Sequence, residues 1–311
     1  MRRLISVVLL CGCGSVGETK VDGAVVVDGK GSDVQLDGAV PPACNLTAPF
    51  GTPAQVAGVN TSAPDVWGWL SPDLLTIHFA SSASGTSERN IYAATRTSTT
   101  GTFTNAQPIA GGVNTTSFED RPTLTADGLT MFYESNAPGP QDVYFATRTS
   151  VLADFGTGAP VAVINGANSV DWNPFITPDG LTLYFASNRT SNRMQIYRAT
   201  RANTSSQFGG PTAVAELSST SDDYGPILSA DGLEIFFASY RAGNNNNDIW
   251  HATRSTTNDG FGTPTQVTEL SGTTSDDYGS WLSPDRCTFI FSSNRAGGNG
   301  SWDIWMAKRP Q

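Results

Sequence analysis

The feature that most constrains this chain is a unit of roughly 50 residues that occurs five times. A turn aspartate marks each copy, and subtraction gives steps of 54, 52, 52 and 54 residues between Asp73, Asp127, Asp179, Asp231 and Asp285. A phenylalanine keeps the same period, at Phe50, Phe103, Phe155, Phe208 and Phe261. So does an arginine, at Arg96, Arg148, Arg201, Arg254 and Arg309. Three independent markers with one spacing indicate a repeat architecture.

Each copy contains several short β-rich runs, and the third copy, from Asp171 to Arg201, shows them most clearly. Three runs are separated by turn residues, and Pro178-Asp179-Gly180 has the chemistry of a tight hairpin. No segment shows the 3.6-residue period that a helical solenoid would need. A period of this length that carries several strands is typical of a propeller blade. The sequence therefore predicts an all-β fold, a five-bladed β-propeller of four-stranded antiparallel blades.

The repeats are offset around the ring. The first begins near Phe50 with a lone strand of the fourth type, and the last ends near Arg309, just after a strand of the third type. We therefore expect the N-terminal outer strand to complete the last blade. Such closure removes the open sheet edges that otherwise promote aggregation.

The N-terminal segment carries export signals. A basic start, Met1 to Arg3, is followed by an apolar run from Leu4 to Leu10 and then by Cys11-Gly12-Cys13. Leu10 to Cys13 resembles the lipobox of bacterial lipoproteins, which implies a signal peptide over 1–12 and acylation of Cys13. An ordinary secretory signal cut nearby is the alternative. Residues 13–43 are rich in Asp and Gly and lack aromatics, so we expect a disordered tether before a propeller over 44–311.

Two cysteines, Cys44 and Cys287, remain besides Cys13 after such processing. In an exported protein two remaining thiols are expected to pair. Cys44 precedes the closing strand by a few residues, and Cys287 begins the second strand of the last blade, so both should lie on the same side of that blade. The sequence predicts a disulfide between them, with two free buried thiols as the alternative.

Charge and composition exclude several functions. The formal net charge of -10 disfavours binding to nucleic acid or to an anionic membrane surface, which leaves the lipid anchor as the expected membrane contact. There are only two histidines, and there is no Gly-x-Ser-x-Gly motif, so a serine hydrolase or a zinc enzyme is not expected. We expect no cofactor, no metal and no catalytic residue. Glycosidases need only two carboxylates, which keeps that one enzyme class open.

An acid stands eight residues before every turn aspartate, at Asp65, Glu119, Asp171, Asp223 and Asp277. First strands line the channel of a propeller, so these acids should form a ring near one mouth. They could bind a cation or polar ligand on the axis. Alternatively, each could accept hydrogen bonds from backbone amides, and occurrence in every repeat favours this structural role, because catalysis needs acids with separated pKa values.

Aromatic residues should lie beside the acids, at Trp67, Trp172, Tyr224 and Tyr278. They could stack on sugar rings or anchor a partner, or they could pack between blades. Three arginines follow second strands, at Arg189, Arg241 and Arg295. We expect them to bridge to the acids that precede third strands, Asp142, Asp248 and Asp303.

Several of these units resemble a known repeat. Ser71-Pro72-Asp73, Thr177-Pro178-Asp179-Gly180, Leu183 to Arg189 and Asp303-Ile304-Trp305 are similar to the PD40 or WD40-like repeat of TolB-like propellers. The likeness covers about Phe50 to Arg309, with Leu74 and Arg286 at positions where the repeat has glycine.

The resemblance implies a non-catalytic interaction domain of the cell envelope. We expect a monomeric outer-membrane lipoprotein, facing the periplasm or the surface, whose propeller binds an envelope protein or a glycan. The alternative is a five-bladed glycoside hydrolase or lectin that binds carbohydrate at the channel mouth.

Overall fold

The computed structural model describes residues 44–311, except residues 84, 86, 87, 138 and 244. The predicted signal peptide, the Cys13 acylation site and the tether lie outside these residues. The described chain forms five sheets of four antiparallel strands each, which confirms the predicted five-bladed propeller.

Every blade is a meander of four strands. The first strands are Asp65–Leu70, Glu119–Leu124, Asp171–Ile176, Asp223–Leu228 and Asp277–Leu282. The second strands are Thr76–Ser81, Thr130–Ser135, Thr182–Ser187, Glu234–Ser239 and Thr288–Ser293. The third strands are Asn90–Thr95, Asp142–Thr147, Gln195–Thr200, Asp248–Thr253 and Asp303–Lys308. The outer strands are Thr104–Pro108, Ala159–Pro160, Thr212–Ala213, Thr265–Gln266 and, from the N-terminus, Ala54–Gln55. One turn of 3-10 helix spans Ala215–Leu217.

The repeated turn has one geometry in all five blades. In blade three, the Asp179 carboxylate accepts hydrogen bonds from the Thr177 hydroxyl at 2.6 Å and from the Leu181 amide at 2.9 Å. Gly180 follows in the left-handed region, with φ of 71°. Leu74 and Arg286 take the same conformation, with φ of 62° and 61°. The aspartate and the strand pairing therefore hold this turn even without glycine, at a cost of about 1–2 kcal/mol per residue.

The two other repeat markers touch each other. In every blade the arginine that follows the third strand stacks over the phenylalanine, with Cζ between 4.2 and 4.6 Å from the ring centroid. Its Nε also donates to a carbonyl of the repeated turn, at 2.7 to 3.2 Å. One side chain thus joins the turn, the third strand and the segment that leads into the outer strand. This explains why the three markers share one period.

The ring closes as predicted. Ala54 and Gln55 pair with Met306 and Trp305 on the last third strand. Phe50, from the N-terminal segment, lies under Arg309 and so fills the position that the other blades fill from their own sequence.

A disulfide between Cys44 and Cys287, with Cα atoms 5.7 Å apart, fastens the same junction. The bridge spans 243 residues of sequence, so it joins the two ends of the ring.

The core lies between the sheets. Second strands supply fully buried side chains in every blade, among them Ile77, Met131, Leu183, Ile235 and Phe289. First strands of neighbouring blades contact one another around a complete circle, which places them around the central channel. Among the described residues, no helix is long and apolar enough to cross a membrane.

Candidate functional site

The five ring acids are fully buried at the first positions of the first strands. Each accepts a hydrogen bond of 2.6 to 2.9 Å from a backbone amide in the loop that precedes its own strand. A serine or threonine hydroxyl in the same loop adds a second bond, as from Ser169 to Asp171 at 2.9 Å. None of the five carboxylates lines the channel cavity. Their contacts are those of the structural alternative, since each holds a loop against its blade.

The three arginines after the second strands pair with these ring acids. Arg189 lies 2.6 Å from Asp171, and Arg241–Asp223 and Arg295–Asp277 repeat that distance. The prediction that they bridge to Asp142, Asp248 and Asp303 is therefore wrong, because the long loop folds the guanidinium inward toward the first strand. Asp303 instead accepts from the amide of Asn299 at 3.1 Å.

Blades one and two have alanine in place of the arginine, at Ala83 and Ala137. Among the described residues, their ring acids, Asp65 and Glu119, lack the arginine partner seen in blades three to five. Burial raises the pKa of both carboxyls, because it removes solvation from the charged form.

The residues two positions after the ring acids have an unusual backbone conformation in several blades. The first strands are bulged there, with a register shift in every blade. At the bulge Trp67, Arg121 and Asn173 adopt left-handed backbone, with φ of 61°, 51° and 58°. Residues other than glycine rarely adopt this backbone conformation. Bulges commonly redirect side chains at functional sites. The bulge turns these three side chains toward the axis.

A cavity of about 340 Å³ opens at this mouth of the channel. Its lining combines aromatic, charged and amide side chains, and comprises Val66, Trp67, Arg89, Phe118, Asp120, Arg121, Glu134, Gln141, Trp172, Asn173, Tyr224, Tyr278 and Trp302. The volume is within the usual range for small-molecule sites, roughly 300–1,000 Å³.

The four predicted aromatic residues meet in this cavity. Trp67 lies 5.4 Å from Tyr278 between ring centroids, and Trp172 lies 6.4 Å from Tyr224 with the rings stacked. Trp302 extends the cluster at 5.7 Å from Tyr278. Burial raises the pKa of the Tyr224 and Tyr278 phenols, so both hydroxyls stay protonated near neutral pH. The rings are half-buried, which leaves part of each accessible from the mouth.

The charged residues that line the cavity come from blade two and from the loop before the third strand of blade one, which carries Arg89. Asp120 stands where the other blades have Val66, Trp172, Tyr224 and Tyr278. Glu134 stands where the other second strands have Ala80, Ala186, Ala238 and Ser292. Asp120 and Glu134 occupy directly opposite positions on the paired first and second strands.

Sequence reasoning missed Asp120, Arg121 and Glu134, because it followed what the repeats share. Alignment of the five copies would have shown blade two as the exception.

These charges are paired unequally. The Asp120 carboxylate accepts from Arg89 Nη2 at 2.6 Å, and its second oxygen, Oδ1, is buried without a partner among the described residues. Glu134 Oε1 accepts from the amide and the side chain of Asn173, both at 2.6 Å. Arg121 Nε lies farther from the same oxygen, at 3.4 Å. Burial, together with the nearby Asp120 charge, raises the pKa of Glu134 against the opposing effect of Arg121.

Arg121 forms the floor of the cavity. Its guanidinium lies 3.1 Å from the centroid of the Trp67 ring, a cation–π contact that crosses from blade two to blade one. Below it the channel narrows to a space of about 20 Å³, lined by deeper residues of the first strands. Burial lowers the pKa of Arg121 to about 10, so the group remains a cation near neutral pH.

The histidines lie elsewhere. His78 is buried on the second strand of blade one, beside Trp69, and His251 contacts Glu234 at 3.1 Å in blade four. Within the described ranges no group of three or more His, Cys, Asp and Glu side chains could hold a metal ion.

No family model matches the chain, and no curated protein matches it. Solved structures are similar to it at low identity. A family 117 glycoside hydrolase from the marine bacterium Zobellia galactanivorans is 11% identical, with a TM-score of 0.55 over 84% of this chain and 90% of that one. A thermostable family-43 glycoside hydrolase is 14% identical, with a TM-score of 0.52 over 81% and 90%.

TolB, whose repeat this sequence resembles, is also among the similar structures. TolB from Acinetobacter baumannii is 19% identical, with a TM-score of 0.49 over 80% of this chain and 55% of that one. The chain thus spans about half the length of that protein. At these identities the likeness concerns the propeller fold alone, and function has to be argued from the site.

Proposed function

We propose that this propeller is a non-catalytic binding domain of the cell envelope that holds a saccharide at the mouth of its central channel. The observation that carries the proposal is the convergence of six half-buried aromatic rings, Phe118 among them, with Asp120, Arg89 and Arg121 in one cavity. Four further cavities of the described chain lack such an aromatic cluster combined with opposite charges.

The chemistry of the lining suits a sugar. Apolar C–H faces of sugar rings stack on aromatic side chains, while a few placed polar groups fix the hydroxyls. Asp120 Oδ1 accepts no hydrogen bond from a described residue, although it is buried at the cavity. The indole nitrogens of Trp67 and Trp172 likewise lack acceptors within the described chain. A ligand with several hydroxyls could satisfy these atoms, which are costly to leave unpaired.

The pairing of the carboxylates favours binding over catalysis. A glycosidase needs one carboxylic acid that can donate a proton and a second carboxylate free to act on the sugar or on water. Glu134 is only 3% exposed and is held by Asn173, and Asp120 is in a 2.6 Å ion pair with Arg89. Each carboxylate is therefore held by a partner at one of its oxygens, which disfavours a role as proton donor or nucleophile.

Glycoside hydrolysis is the second candidate, and one observation favours it. The cavity carboxylates belong to a single blade and differ in environment, since burial raises the pKa of Glu134 while Asp120 forms an ion pair with Arg89. Acid–base catalysis requires two acids in different environments, so that one can donate a proton while the other is ionised. Glycoside hydrolases also occur among the structures that share this fold.

The placement in the envelope rests on the N-terminal sequence signals and on the disulfide, which suits an oxidising compartment. Acylation of Cys13 would tether the propeller to the outer membrane, facing either the periplasm or the surface. We take the unit to be a monomer, since its closed ring leaves the sheet edges short. The saccharide would then belong to the envelope or to its surroundings.

A glycan array with the purified propeller tests the proposal, with Trp172→Ala as the site variant and Trp250→Ala as its control. Both tryptophans are half-buried, but Trp250 lies outside the cavity, on a third strand. We expect binding by the wild type, a loss of about tenfold in the site variant and no loss in the control. A wild type that binds no glycan would refute the proposal.

The same saccharides decide between binding and hydrolysis. Incubation with each bound glycan, followed by a reducing-end assay, should release no new ends. Release by the wild type that is abolished in both Asp120→Asn and Glu134→Gln would establish the hydrolase instead.

A further inference from the structure

Arg121 is placed on the channel axis by features from four blades. Its own left-handed backbone turns it inward, and Trp67 of blade one supports its guanidinium from below. Tyr278 of blade five lies 5.7 Å away, between Cζ and the ring centroid. On blade four, a Cβ at Gly225 would lie 2.8 Å from Arg121 Nη1, so glycine is needed there to admit the group. The side chain is only 10% exposed, and what is exposed faces the cavity.

The guanidinium has N–H donors to spare. It carries five donors, yet it makes no hydrogen bond to any residue that the structure describes. Its salt-bridge partner among the described residues is Glu134, 3.4 Å from Nε, and the oxygen there already accepts two bonds of 2.6 Å from Asn173. Arg189 shows the contrast, because it donates to Ser187, to the Ile164 carbonyl and to Asp171.

The other cavity charges do not satisfy Arg121. Asp120 is taken by Arg89, which donates two bonds to the same carboxylate oxygen, at 2.6 and 3.1 Å. The Arg121 guanidinium lines the cavity, and a planar anion that accepts two parallel N–H bonds there would pair with it more strongly than a neutral acceptor would. A carboxylate fits better than a phosphate, because the doubly charged group would be repelled more strongly by Asp120 and Glu134.

We propose that the saccharide bound at this mouth is acidic and that Arg121 binds the carboxylate of a uronic acid unit at the floor of the cavity. This inference rests on the proposed function and narrows it to one substrate class. The sugar ring would stack against the aromatic cluster, and Asp120 would accept a hydrogen bond from a sugar hydroxyl. The carboxylate of the uronic acid would bind Arg121.

Calorimetric titration with matched saccharide pairs tests the inference. One pair is an oligogalacturonate and its full methyl ester, and the other is an oligoglucuronate and the corresponding neutral glucose oligomer. The protein variants are Arg121→Gln, Arg121→Lys and the double variant Arg121→Gln/Glu134→Gln. The double variant is included because the Glu134 carboxylate would lose its cationic neighbour in Arg121→Gln. Arg198→Gln is the control, since Arg198 is exposed and lies outside the cavity. Circular dichroism establishes that each variant is folded.

For at least one pair, the wild type should bind the acidic member roughly 10- to 100-fold more tightly than the neutral one. Both Arg121→Gln variants should lose that preference, Arg121→Lys should keep part of it, and Arg198→Gln should keep all of it. Equal affinity for the acidic and neutral members, or a preference that survives in the double variant, overturns the assignment of Arg121 and leaves saccharide binding intact. If neither these saccharides nor any on the array binds, the proposed function falls together with this inference.

Discussion

Replacement of Asp171 by alanine should destabilise the propeller more than the same change at Asp65. Both carboxylates are fully buried and hold the loop before their strands, at 2.8 Å from the Gly166 amide and 2.6 Å from the Thr61 amide. Only Asp171 also pairs with an arginine, Arg189, at 2.6 Å. The two sites therefore form a matched comparison within one chain.

The magnitudes follow from what each change leaves behind. Asp65→Ala removes hydrogen bonds to the loop and should cost about 1–3 kcal/mol. Asp171→Ala also leaves Arg189 without its charge partner, and breaking a buried pair costs about 3–5 kcal/mol. Because the Arg189 side chain keeps 19% exposure, we expect a value near the lower end, about 3 kcal/mol. Arg189→Ala in the Asp171→Ala background should then recover part of the loss.

Urea denaturation at pH 7, followed by tryptophan fluorescence, measures these differences. A double-mutant cycle over Asp171 and Arg189 isolates the coupling between them. Equal costs at Asp65 and Asp171, or no coupling in the cycle, would refute the contribution of the Arg189–Asp171 ion pair to stability. Unchanged stability with a loss of glycan binding would identify Asp171 as part of a ligand site.

Four further expectations concern the rest of the chain. Mass spectrometry of the mature protein should find an acyl mass on Cys13 that is absent after Cys13→Ala, and an unmodified, soluble wild type would contradict this. Burial lowers the pKa of His78 to about 3, so the native state binds fewer protons than the unfolded state below the unfolded value of 6.5. Stability should therefore fall as pH drops from 6.5 toward 3, by up to about 5 kcal/mol, and His78→Gln should flatten that dependence in denaturation at pH 7 and pH 4. Reducing agent should lower the free energy of unfolding of the wild type by up to roughly 5 kcal/mol, and its melting temperature with it. The melting temperature of a Cys44→Ala/Cys287→Ala variant should not change. Deletion of residues 50–59 should expose the last blade's edge and cause aggregation, and a monomeric deletion variant on size-exclusion chromatography would argue against the closure.

The fold could be predicted from the sequence because its markers are physically connected. The phenylalanine and the arginine of each repeat stack on each other, and the same arginine donates to the repeated turn. A change at one marker affects the others, so all three keep one period. The offset of the repeats likewise predicted how the ring closes. Phe50, from the N-terminal segment, packs under Arg309 of the last blade.

The candidate site could be predicted only in part. The aromatic residues could be predicted because an aromatic follows the ring acid in four of the five repeats. Asp120 and Arg121 follow the ring acid in blade two alone, and Glu134 is the one acid at its position in the second strands, so none of the three carries a period. Their meeting depends on a bulge with left-handed backbone at Arg121, which the sequence pattern does not reveal. The arginine partners were predicted wrongly because Asp248 and Asp303 follow Arg241 and Arg295 closely along the chain. The folded loops bring Asp223 and Asp277 to these arginines instead.

The most direct test of the account is a crystal structure of the propeller with the saccharide that binds most tightly on the array. We predict a sugar ring stacked in the aromatic cluster at the channel mouth, with a hydroxyl within hydrogen-bond distance of Asp120 and a carboxylate on Arg121. A saccharide bound on the outer surface, or between blades three and four near Arg198, with the channel mouth unchanged, would contradict it.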